Sequence, residues 1–165
     1  MHQLVERFIA GQMPEPMANA LVGGSMPLPS QDLLQALSHA VFQDTPYAGR
    51  ALDTLRAMPE SVLSGAIAGP IQPPDPLGLI CMHRKDLALL EQAMLHEDFN
   101  AAWMERVIPS LPGPSLDLPL NNQVMWLQRP VILDLLEQHP DGDYNLKRKI
   151  QEFRRDVLRV IPAEV

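Results

Sequence analysis

Cys81 and His83 stand two residues apart, and His96, Glu97 and Asp98 follow downstream. Sulfur, imidazole and carboxylate in one stretch are the groups that hold a divalent metal. A structural zinc site takes four nitrogen or sulfur ligands in paired spacings such as C-x2-C with H-x3-H. This chain offers one cysteine and five histidines, with no two histidines four apart. The spacing therefore predicts neither metal nor cofactor, and Cys81 is expected to be a small buried residue.

Nucleophilic chemistry has the side chains but not the pattern. Ser25, Ser30, Ser38, Ser61, Ser64, Ser110 and Ser115 lie outside any G-x-S-x-G elbow. Ser38 and His39 are neighbours on a helix, so they point in different directions. The carboxylates Asp32, Asp44, Asp53, Glu60 and Glu97 show no fixed pairing that would split two pKa values. Gly23-Gly24 and the stretch from Gly65 to Gly69 match neither phosphate-binding glycine pattern and serve helix termination better. No catalytic residue is assigned, and the chain is expected not to be an enzyme.

Side chains that could meet a partner remain. Lys147-Arg148-Lys149 with Arg154, Arg155 and Arg159 make a basic cluster, and Trp126 stands beside Met125. Tryptophan and arginine are enriched where proteins bind one another. Trp126, Lys147, Arg148, Arg155 and Arg159 are thus the candidate partner-binding residues. The competing view of the cations is a solvated face near a helix C-terminus, where they oppose the macrodipole. Trp103 falls in an every-fourth-residue series with Phe99 and Val107 and is expected in the core. The nine methionines are scattered and read as core fillers.

The chain of 165 residues is long enough for one packed domain, with 46% apolar residues and only 5% aromatics. Its net charge is −7, divided as −8 over residues 1–140 and +1 over 141–165. An acidic body does not displace counterions from a phosphate backbone, so no nucleic acid is expected. No apolar run approaches the roughly 18 residues of a membrane span, and the first residues lack a basic-then-apolar secretory signal. No membrane partner and a cytoplasmic location are the expectations, as is a monomer or weak homodimer.

The seventeen prolines sit between apolar clusters, where they stop and start helices. Short helices are predicted to end at Gly11 and at Gly23-Gly24, and one from Gln31 to Phe42 to start at an N-cap Ser30. Asp44 or Thr45 is expected to cap the next, Asp75 to cap one opening at Pro76, and Pro130 to open one with Val131 and Leu135 inward and Ile132 and Leu136 as further inward positions. The last helix, over 143–161, is capped by Asp143 and buries Leu146, Ile150, Phe153, Val157 and Val160. On its outer face Glu152–Arg155 and Asp156–Arg159 are spaced to pair. No stretch alternates with a period of two, so strands are not expected.

A block of sequence also recurs at a step of 46 residues. Ala20-Leu21-Val22-Gly23 returns as Ala66-Ile67-Ala68-Gly69, and Pro27 as Pro73 and Pro119. Leu33-Leu34 returns as Leu79-Ile80 and then Met125-Trp126, and Leu89-Leu90-Glu91-Gln92 as Leu135-Leu136-Glu137-Gln138. Such a period is what stacked helical hairpins give.

With the junctions Asp98-Phe99-Asn100 and Asp143-Tyr144-Asn145, these features resemble HEAT- and armadillo-type repeats. They are also similar to the leucine-rich-repeat-variant class, and the stretch from Asn121 to Gln138 to bacterial helical-repeat proteins. The fold class expected is all-α: a right-handed stack of short antiparallel helices, an α-solenoid. One domain, 1–165, would comprise an N-terminal helix at 1–12, degenerate repeats over 14–141 and an amphipathic capping helix at 143–161. The resemblance implies a curved surface that binds another protein, as an interaction or scaffolding module without a cofactor. The alternative is a small-molecule or peptide-sensing domain that binds on the concave face.

Overall fold

The computed structural model describes residues 2–71 and 75–157, and every regular element among them is helical. They group into two compact units, Met1–Phe99 and Asn100–Val165. The first unit holds α1 (Gln3–Ile9), α2 (Glu15–Val22), α3 (Ser30–Phe42), α4 (Ala48–Ala57), α5 (Glu60–Ala66), α6 (Pro76–His83) and α7 (Leu87–Met94). The second holds α8 (Met104–Val107), α9 (Asp117–Asn121), α10 (Gln123–Gln128), α11 (Val131–Glu137) and α12 (Tyr144–Asp156). Among the described residues no helix is long and apolar enough to cross a membrane.

Chain punctuation sets these short lengths. Gly11 (φ 71°) and Gly24 (φ 76°) take the left-handed conformation that closes a helix C-terminus. There the Gln12 N–H donates to the Arg7 carbonyl and that of Ser25 to Ala20, each at 3.0 Å. Asp44 (φ 53°) does the same for α3, a task a short polar side chain tolerates. Asp75 and Asp143 cap as expected, accepting from the Leu77 and Leu146 N–H at 2.9 and 2.8 Å. Ser30 does not cap: Pro29 holds that position, and Ser30 is already helical. Thr45 links α3 to α4, donating to the Ala40 carbonyl at 2.8 Å and accepting from the Tyr47 N–H at 3.3 Å.

In the first unit α3 is the centre, packed against α1, α2, α4, α5 and α6. Leu34 to Ser38 are all buried, and the buried Ser38 hydroxyl donates back to the Leu34 carbonyl at 3.0 Å. Helix α6 packs on α3, α4 and α7, and its residues Pro76 to Cys81 are all buried. A helix apolar on every side must be enclosed on every side. Arg84, just past α6, fastens this packing. Its Nε and Nη2 donate to both Asp86 oxygens (2.8 and 3.1 Å), while Nη1 donates to the carbonyls of Leu55 and Met58 (3.0 and 2.5 Å) at the end of α4.

In the second unit α11 is contacted by α8, α9, α10 and α12. Its inward residues are Ile132, Leu133 and Leu136. Of the expected inward residues Ile132 and Leu136 are buried, whereas Val131 is 39% exposed and Leu135 half-buried, a correction for those two. Helix α12 buries Leu146 and Ile150. Phe153 stacks on Trp126 at 5.2 Å between ring centres, and Arg154 pairs with Asp134 and Glu137 of α11. Val160, expected to continue the stripe, lies outside the described residues, as does Pro73.

The identical tetrapeptides do not occupy identical places. Leu89 to Gln92 lie in the middle of α7, whereas Leu135 to Gln138 finish α11 and form its C-cap. Pro119 lies within α9 and is buried, unlike Pro27 in the connection before α3.

Candidate interaction surface

Several of the residues that suggested chemistry serve burial or hydrogen bonds within the fold. Cys81 is buried in α6, and burial, with the charge of Asp75 second, pushes its thiol up to about 12. Among the described residues no group of three or more histidine, cysteine or acidic side chains is arranged to hold a metal. His96 uses both ring nitrogens: Nε2 meets the Gly69 carbonyl at 2.9 Å, and Nδ1 accepts the Asp98 N–H at 3.0 Å. His139 repeats that arrangement with the Leu111 carbonyl (3.1 Å) and the Asp141 N–H (3.0 Å). Because Nδ1 accepts in both, the ring proton belongs on Nε2. The Ser64 and Ser115 hydroxyls donate to Gln92 Oε1 and to the Pro112 carbonyl at 2.6 and 2.7 Å.

The remaining histidines serve packing and capping as well. His2 Nδ1 accepts the Leu4 N–H at 3.1 Å. His39 packs edge-on against Phe8 at 5.7 Å, and burial lowers its pKa. His83 is lowered by burial first and by the charge of Arg56 second. The hydrogen bond from Arg84 holds the Asp86 carboxyl below its ordinary range.

The outward face of α12 has a different character. Leu146, Ile150 and Phe153 turn to the core, so a helical repeat of 3.6 puts Tyr144, Arg148 and Arg155 in one row on the opposite side, while Gln151 reaches back to donate to Glu137 of α11 at 3.1 Å. Tyr144 is 77% exposed, and Lys147 flanks the row. Arg148 approaches Glu152 at 3.8 Å, and Arg155 donates to Asp156 at 3.1 Å, a hydrogen bond that raises its pKa. The expected Glu152–Arg155 pairing gives way to these two. Arg159 and its proposed pairing with Asp156 lie outside the described residues.

Helix α10 supplies a second exposed set. Its middle, Met125 and Trp126, is buried, and the Trp126 Nε1–H donates to the Leu120 carbonyl at 2.9 Å. Trp126 is therefore a core residue, correcting its place among the partner-binding candidates. Trp103 is the half-exposed tryptophan, with the Arg106 guanidinium 5.0 Å above its ring. Val124 and Leu127, three apart on α10, are 68% and 45% exposed, and Val131 follows at the start of α11. The described structure thus keeps Lys147, Arg148 and Arg155 on the surface and adds Tyr144, Val124 and Leu127. The i, i+4 spacing of Tyr144 and Arg148 carried the first signal; the i, i+3 spacing of Val124 and Leu127 carried the second.

No protein-family model, curated protein or solved structure matches the chain.

Proposed function

We propose that this chain is a protein-interaction or scaffolding module built of degenerate three-helix repeats, and that it acts without catalysis. The observation that carries the binding role is the outward row Tyr144, Arg148 and Arg155, set opposite the buried stripe of α12. Tyrosine and arginine bring large contact area and directional donors at low entropic cost, which suits an interface centre. Val124 and Leu127 on α10 add aliphatic surface in the same unit.

Support for the repeat comes from a recurring clasp. The Thr54 hydroxyl in α4 donates to the Val22 carbonyl at the end of α2, at 2.5 Å. His96 past α7 meets Gly69 past α5, and His139 past α11 meets Leu111 past the 3-10 turn Ile108–Ser110. In the first a residue within a helix reaches the last carbonyl of an earlier helix, and in the other two a histidine just past a helix reaches a carbonyl just past an earlier one. The triplets would be α2-α3-α4, α5-α6-α7, and the stretch 104–110 with α10 and α11, with α9 inserted.

The test compares the full chain with a Tyr144→Ala, Arg148→Glu, Arg155→Glu variant. All three positions are exposed, so the melting temperature should stay within a few degrees of wild type. Affinity capture from the native host with mass spectrometry should yield a defined set of proteins that the variant loses. Identical captures by both chains would overturn the assignment.

A further inference from the structure

An arginine that no hydrogen bond or ion pair holds among the described residues sits in the first unit, over a glycine that makes room for it. The Arg50 guanidinium lies over Gly23, the residue that ends α2. A Cβ at position 23 would stand 2.6 Å from Arg50 Nη2 and 2.7 Å from Nε. Gly23 has a φ of −79°, which any residue adopts, so the backbone does not ask for glycine there. What the missing side chain provides is room for the guanidinium. Among the described residues no hydrogen bond or ion pair holds the side chain of Arg50; the neighbouring Asp53 approaches Arg56 instead, at 3.9 Å.

Beside it lies a groove of about 590 Å³ with Leu33, Ala57, Met58 and Val62 along its wall. Val62 is 38% exposed, and Gly24, Ala57 and Pro59 at the rim are exposed too. Arg50 shares the wall with Asp53 and Thr54, and the rest of the lining is aliphatic or glycine. Asp53 approaches Arg56, so the fork of five donors on Arg50 is the feature that matches a carboxylate joined to an apolar body. The exposed rim would leave most of a small molecule in water, whereas a polypeptide can lay its end there and continue outward.

We infer that this groove binds the carboxyl-terminal end of a partner polypeptide whose last residue is aliphatic, with Arg50 receiving the carboxylate. The site goes beyond the surface on the second unit and does not depend on it. Arg50 is a binding residue here, and Gly23 positions it.

The probe is an acetylated tetrapeptide, Ala-Ala-Leu-Val, added as free acid or as carboxamide to the ¹⁵N-labelled full chain. With the free acid, the Arg50 Nε–H and the backbone amides of Gly24 and Val62 should shift on titration. The carboxamide and Arg50→Gln should each weaken binding about tenfold or more, as loss of a charge-assisted pair does. Gly23→Ala meets the far end of the flexible Arg50 side chain most closely and the Asn19 carbonyl at 3.0 Å, so it should fold with at most a small loss of stability and still weaken binding. Equal affinity for acid and carboxamide, an unaltered Arg50→Gln titration, or no shift at millimolar peptide would overturn the proposal. Hexanoate binding as tightly as the peptide would overturn the polypeptide as the source of the carboxylate.

Discussion

Helices α6 and α10 carry apolar pairs in matching register, Leu79-Ile80 and Met125-Trp126, and meet opposite fates. Helix α6 is enclosed by α3, α4 and α7, so Pro76 to Cys81 are all buried. Helix α10 packs on α9 and α11 and meets Phe153 of α12 through Trp126; it buries Met125 and Trp126 and leaves Val124 and Leu127 in solvent. The difference lies in the company each helix keeps. An apolar helix enclosed all the way round is core, and one whose neighbours leave one side open is half core and half surface.

The largest test of that contrast is truncation of the buried anchors. Trp126→Ala removes the indole, its stack with Phe153 and its bond to the Leu120 carbonyl, and should cost about 3–5 kcal/mol in urea unfolding. Leu79→Ala in α6 should cost about 2–5 kcal/mol. A near-silent Trp126→Ala would mean that α10 is not docked. Next comes Phe153→Asp, which places a charge against the indole. Half-burial of Phe153 limits the loss to about 2–3 kcal/mol by thermal melting. An unchanged melting curve would detach α12 from the core.

The Arg84 clasp sharpens the comparison through pH. Arg84 holds Asp86 below its ordinary pKa in the folded state, so the unfolded chain binds more protons as pH falls. That stabilisation is complete above the ordinary aspartate value of about 3.9 and fades as pH drops through the lowered one. Asp86→Asn should therefore flatten the acid limb of a stability–pH curve measured by denaturant titration. A limb as steep as wild type would remove Asp86 as its source. The smallest effect is expected where α10 faces water: Val124→Glu with Leu127→Glu should change stability by only about 0.5 kcal/mol. The same substitution at Leu79 should prevent folding, because its charge would be buried without a partner. A large loss from the α10 variant would show that its outer side is covered.

Much of the helical outline was legible because its signals are local. Gly11 and Gly24 close helices through their own backbone, and Asp75 and Asp143 reach only two or three residues to cap. The stripe of α12 was readable through Leu146, Ile150 and Phe153, because thirteen residues give the 3.6 period room to show, but Val157, expected to be buried, is 37% exposed where the helix has ended. Helix α10 offers six residues, with Val124 to Leu127 all apolar, and no period separates its inside from its outside. Trp103 shows a related limit. The series Phe99, Trp103, Val107 assumes one continuous helix, but Trp103 ends a 3-10 turn and only Val107 lies in α8. Ser30 failed as a cap because Pro29, already suited to the extended conformation of that position, displaces it by one residue. Of the candidate surface, the cations were legible as charge, whereas the tyrosine joined them only once the helix phase was fixed.

The two imidazole clasps carry a consequence for how the polypeptide comes into being. Each joins atoms only 27 or 28 positions apart, so each closes a short loop. Closing a short loop costs less entropy than joining distant ends, and local closure favours fast assembly. A growing chain that has just released His96 from the ribosome already holds everything that clasp requires. Synthesis and folding can then advance together, one latch at a time.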